Sequence, residues 1–180
     1  AARELEVLAG ALDGMAAFYA AAGLAQEAAE LFGAAAGALE ADENVPARAL
    51  RGRLLTEQGN FLSQSGAYEP ALQALEQAAQ LGQEAGDGEA EAAARWIWGD
   101  TLGCQGRYAE ARAQLNLALG LAADPATLAD ALGALGTIEE EQADYPAAAA
   151  TYARTLALSR QLGDQRREAL ALQRLGVVAE

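Results

Sequence analysis

Histidine and lysine are absent from these 180 residues, and cysteine occurs once, as Cys104. Without histidine no side chain ordinarily exchanges a proton near neutral pH. Without lysine there is no Schiff-base amine, and a single thiol with no imidazole cannot build a cysteine/histidine zinc site. Any catalysis would rest on carboxylates alone, so the chain is expected not to be an enzyme and to carry neither metal nor cofactor. An unpaired thiol fits a reducing compartment, and the expected location is cytoplasmic. Positive charge is also scarce: all twelve basic residues are arginines, set against 26 acidic ones, for a formal charge of −14. Nucleic-acid binding draws its affinity from clustered basic residues, so that partner class is excluded, whereas a basic or neutral protein or peptide is compatible. The same charge keeps an alanine-rich surface soluble. Long apolar runs are missing too. The longest uncharged stretch, Gly14 to Gln26, is 13 residues, against the roughly 20 that a membrane span needs. The opening Ala1-Ala2-Arg3-Glu4 shows no basic segment followed by an apolar one, as a secretory leader would.

What the sequence does contain is helical periodicity. Apolar residues recur every three or four positions, as in Leu102, Tyr108, Ala111, Leu115, Ala118 and Leu119, with no alternation long enough for a strand. Pro46, Pro70, Pro125 and Pro146 each stand where a helix should begin, because the first turn does not use the missing amide proton. Asp124 and Asp144 are suited to N-caps. Gly23, Gly66, Gly86, Gly106 and Gly163 mark helix ends. The punctuation predicts helices over 2–21, 25–43, 46–64, 68–85, 89–104, 108–123, 126–142, 146–162 and 165–180.

The pattern Gly-x-Tyr-x-x-Ala occurs at Gly66, Tyr68, Ala71 and at Gly106, Tyr108, Ala111, with altered copies at Gly23, Ala25, Ala28 and Ala143, Tyr145, Ala148. Measured on its third position the copies lie 43, 40 and 37 residues apart, a spacing suited to stacked two-helix units. Nine residues before that position stands a small residue: Ala16, Gly59, Gly99 and Gly136. Four residues after the motif alanine stands a large one: Phe32, Leu75, Leu115 and Tyr152. Small against large is the expected interlock of the two helices of each unit. This ladder, followed by Ala35, Ala78 and Ala118, resembles the tetratricopeptide repeat, whose units usually run to about 34 residues. The longer units here, with junctions such as Leu81-Gly82 to Asp87 and Leu162-Gly163-Asp164, resemble the sensor arrays of bacterial signal-transduction ATPases of the STAND class and of multi-domain transcriptional activators. They also resemble arrays of eukaryotic scaffold and motor light-chain proteins. The lysine-free composition favours the bacterial group.

The resemblance implies an all-α, right-handed superhelical solenoid of antiparallel helix pairs: repeat 1 over 2–43, repeat 2 over 46–85, repeat 3 over 89–123, repeat 4 over 126–162, and the first helix of an incomplete repeat 5 over 165–180. The amphipathic stretch from Arg167 on, with Leu172, Leu175 and Val178 uncovered, leads to the expectation that the native chain continues. The implied function is a protein- or peptide-binding module, the ligand-sensing segment of a larger bacterial signalling protein. The other readings are a structural array that self-associates through open repeat ends and, least favoured, a carboxylate enzyme.

In the family the first helix of each unit lines the concave face. Carried over, its ligand-facing positions imply a groove formed by Arg53, Thr56, Asn60, Gln64, Trp96, Asp100, Thr137, Glu140 and Glu141, with Asp13, Glu57, Ser63, Cys104 and Asp130 beside them. The expected groove has a polar neutral wall, an aromatic centre and an acidic end. Trp96 either anchors a ligand or fills a gap between repeats, while Trp98 packs between repeats. The lysine of the family's clamp for carboxylate tails is replaced by Thr56 and Trp96. Glu139, Glu140 and Glu141 fan out by about 100° each and are expected to form a solvated acidic face with Asp144 rather than a cation site. Cys104 is expected to be an inert, partly buried thiol.

Overall fold

The computed structural model describes the backbone of residues 2–179 and side chains from residue 7 onward, so the side chains of the opening tetrapeptide and residue 180 lie outside the described residues. Among the described residues there are nine α-helices and no strand: α1 (Ala2–Ala22), α2 (Ala25–Ala38), α3 (Val45–Gln64), α4 (Tyr68–Ala85), α5 (Gly88–Cys104), α6 (Tyr108–Leu121), α7 (Pro125–Glu141), α8 (Tyr145–Leu162) and α9 (Gln165–Val178). Five of these helices, α3, α5, α7, α8 and α9, start at side-chain caps. Asn44 accepts from the Ala47 amide, Asp87 from Ala90, Asp124 from Ala126 and Thr127, Asp144 from Ala147, and Asp164 from Arg167. Each satisfies an amide that the first turn leaves without a helical partner.

The motif glycines close the tight turns. Gly66 has φ +80°, and the amides of Gly66 and Ala67 donate to the carbonyls of Ser63 and Leu62, capping α3 in the left-handed manner. Ala143 makes the same turn with φ +58° despite its side chain. One expected boundary is corrected: α2 stops at Ala38 rather than at 43. Beyond it the amides of Leu39 and Glu40 reach back only three residues, and Asp42 then accepts from the Asn44 amide at 3.1 Å, so the chain is drawn out of the helix before α3.

Each helix packs on the next in sequence, and the odd-numbered helices also meet one another, α1 with α3, α3 with α5, and α5 with α7. Within hairpins the small-against-large pattern is realised. Ala28, Ala71, Ala111 and Ala148 are fully buried, and Phe32, Leu75, Leu115 and Tyr152 are buried beside them. A Cβ on Gly59 would lie 2.5 Å from Leu75, on Gly99 2.6 Å from Leu115, and on Gly136 2.5 Å from the Tyr152 ring. The interior forms one cluster around Phe32, Leu54 and Phe61 and another around Leu102, Leu115 and Ile138, with Trp98 packed against both. No helix among the described residues is long and apolar enough to cross a membrane.

Candidate ligand cavity

Trp96 and Asp100 lie one turn apart on α5, so both project from the same side of that helix. They line one wall of a cavity of about 210 Å³, completed by Asp130 and Thr137 of α7, Tyr152 of α8, and Arg167, Leu170 and Arg174 of α9. The polar groups of the far wall are largely committed to one another. Arg167 grips Asp130 in a fork, Nε to Oδ1 at 2.7 Å and Nη2 to Oδ2 at 2.8 Å, and also pairs with its own helix cap, Asp164. Both carboxylates raise the Arg167 pKa, Asp130 first, so its charge is permanent. Tyr152 stands where the preceding units carry Leu115 and Leu75, and a buried phenol requires a partner. Its hydroxyl donates to Glu140 at 2.8 Å and passes 3.4 Å from the Thr137 hydroxyl, which itself donates to the Gly133 carbonyl. Burial and then the Glu140 carboxylate push the Tyr152 pKa up to about 12. Glu140 also faces Arg174, at 3.5 Å. Asp100 differs from these groups. It is half-buried, and desolvation alone raises its pKa, with no hydrogen bond or neighbouring cation opposing the shift.

No protein-family model matches the chain, and no curated protein matches it. Among solved structures the chain is similar to the crystal structure of BtubC (BKLC) from P. vanneervenii, with a TM-score of 0.75 at 16% identity, over 97% of this chain and 72% of that one. The likeness is one of fold alone. At this identity nothing about the cavity carries across, and its chemistry rests on the residues of this chain.

Of the residues expected in the groove, the structure brings Trp96, Asp100 and Thr137 into this cavity, with Glu140 immediately behind it through Tyr152. Thr56 is a correction: it is buried, and its hydroxyl donates to the Gly52 carbonyl at 3.0 Å, leaving nothing to offer a ligand. Arg53 is engaged by Asp13 at 2.9 Å and by the Ala9 carbonyl. Asn60 and Gln64 are bonded to each other at 3.0 Å, and Ser63 lies 3.0 Å from the Thr101 hydroxyl. Glu57 is half-buried, its pKa raised by desolvation and then by Asp13. Glu141 stays exposed, away from the cavity, beside Tyr145 and Val177.

The expected solvated acidic face is corrected in part. Glu139 is buried against Arg112 of α6, with one carboxylate oxygen lacking any protein partner, and Glu140 is held by Tyr152 and Arg174, whereas Glu141 and Asp144 are exposed. Arginines of α6 and α9 thus offset two of the four acidic groups. Cys104 is exposed rather than partly buried. Desolvation of its thiol and then the Asp100 carboxylate raise its pKa, which keeps it protonated. Tyr152, Arg167 and Arg174 were not foreseen. A tyrosine in the leucine position of the repeat, and arginines seven residues apart on one helix face, were the available signals.

Proposed function

We propose that the chain is a tetratricopeptide-like array, a right-handed superhelical solenoid whose odd-numbered helices line a recognition groove for a protein or peptide. In this reading it is the sensing segment of a larger bacterial signalling protein. Contacts that join odd helices to odd helices support a curved array with those helices innermost. The observation that carries the reading is the Trp96 cavity. It combines an aromatic wall with a half-buried carboxylate that has no hydrogen-bond or ion-pair partner within the described residues, a pairing that a ligand could complete.

The test is to pan a phage library of random dodecapeptides against the whole chain. Enriched sequences, made synthetically, should bind the parent roughly tenfold or more tighter than the Trp96→Ala variant, given the usual weight of a tryptophan anchor. The variant should keep its helical circular dichroism. A library that yields no enriched sequence would sink the recognition reading. A second reading, self-association, is favoured by the apolar side chains exposed on α1 and α9, among them Phe18 at 63% and Leu172 at 47%.

A further inference from the structure

Two of the contacts between successive odd helices pair a carboxylate with an arginine of the next helix: Asp13 of α1 takes Arg53 of α3, and Asp130 and Glu140 of α7 take Arg167 and Arg174 of α9. Neither neighbour of α5 supplies such a pair: α3 meets it through the Ser63 and Thr101 hydroxyls. Asp100 lines the cavity together with α7, but α7 reads Pro-Ala-Thr-Leu-Ala-Asp-Ala-Leu-Gly-Ala-Leu-Gly-Thr-Ile-Glu-Glu-Glu and contains no basic residue. The arginine of α5 itself, Arg95, is turned to Glu91 and Gln114. Among the described residues Asp100 has no ion-pair or hydrogen-bond partner.

We propose that the cavity takes one arginine side chain from a partner peptide, its guanidinium lying on the Trp96 ring and forked onto the Asp100 carboxylate. The proposal rests on the recognition reading above. A planar guanidinium stacks on indole and matches a carboxylate with two parallel hydrogen bonds, whereas an ammonium does neither as well. The Asp130–Arg167 fork on the opposite wall is the same arrangement made within the chain. Charge balance points the same way. Arg167 faces both Asp130 and Asp164, and Arg174 faces Glu140, so with Asp100 the cavity and the side chains behind it hold four carboxylates against two arginines. An acidic side chain would have to displace Asp130 from a two-bonded pair and would meet Asp100 as well.

The experiment uses the peptides recovered from the dodecapeptide library, resynthesised with each arginine replaced in turn by citrulline, which keeps the shape and loses the charge. Kd is measured by calorimetry against the parent chain and against Asp100→Asn. The expected result is one arginine whose replacement weakens binding about tenfold or more, and a comparable loss in Asp100→Asn with no further loss when both changes are combined. That variant should stay folded. An acid whose pKa is raised by folding contributes stability below its ordinary range that is lost as pH rises through the raised value. Asp100→Asn should therefore lose less stability than the parent between acid and neutral pH. Peptides that bind with no dependence on arginine, or equally well to Asp100→Asn, would overturn the proposal and leave peptide recognition standing. Failure to recover any peptide would remove both.

Discussion

Single positions show where the repeat pattern is obeyed at a cost. Ala143 occupies the turn that Gly23, Gly66 and Gly106 make elsewhere, and it does so with φ +58°. A side chain disfavours that backbone region by about 1–2 kcal/mol, and glycine returns part of the gain through its greater freedom when unfolded. Ala143→Gly is expected to stabilise the chain by about 0.5–1 kcal/mol, measured by denaturant unfolding. An unchanged or lower midpoint would mean that the alanine makes a contact worth more than its strain. Asp100 is the opposite case, since nothing in the described structure compensates it. A carboxylate that the fold desolvates without a partner reads as a binding feature rather than as a structural one.

At the scale of helices, the hairpins α3–α4, α5–α6 and α7–α8 each have one close approach at a glycine, and the approach sets what that position tolerates. A Cβ on Gly99 would meet the Leu115 side chain at 2.6 Å and the Ala111 carbonyl at 3.0 Å. The leucine can turn aside, but the backbone carbonyl has less room to give. Gly99→Ala is therefore expected to destabilise the chain by about 1–3 kcal/mol, as overpacked cores do, while Gly133→Ala on the neighbouring α7, where no atom lies near, should not. Equal effects of the two substitutions on the urea midpoint would show that helix propensity, not the interlock, decides. This interlock was legible in the sequence because glycine, tyrosine and alanine recur at a fixed phase, and the proline and aspartate caps marked most helix starts. The early end of α2 was not legible, since the Asp42–Asn44 turn that ends it contains no glycine or proline signal. The cavity was half legible. Repeat phase placed Trp96, Asp100 and Thr137 on one side of their helices. The ion pair of Glu139, however, depends on Arg112 of α6, and those of Asp130 and Glu140 depend on α9. Pairings between helices leave no periodic trace.

For the whole molecule two surfaces compete to define what the chain does. One is the row of odd helices with its cavity. The other consists of apolar side chains on the first and last described helices, where Val7 is 66% and Phe18 63% exposed on α1, and Leu172 47% and Val177 52% on α9. These two sets differ in sequence and shape, so a contact between them would be head to tail, closing into a ring or growing into a filament according to its rotation. Against it stands the net charge of −14 on an 18.5 kDa chain, which repels copies at low ionic strength and is screened within about 10 Å at 0.1 M salt. If the cavity is the functional surface, light scattering should give a mass of 18.5 kDa at every concentration, with and without salt. A mass that climbs with concentration once salt is added, and that is unaffected by Trp96→Ala, would shift the function to the apolar helix faces. The salt dependence separates the two because screening removes the repulsion between copies, while burial of apolar surface is not weakened by it.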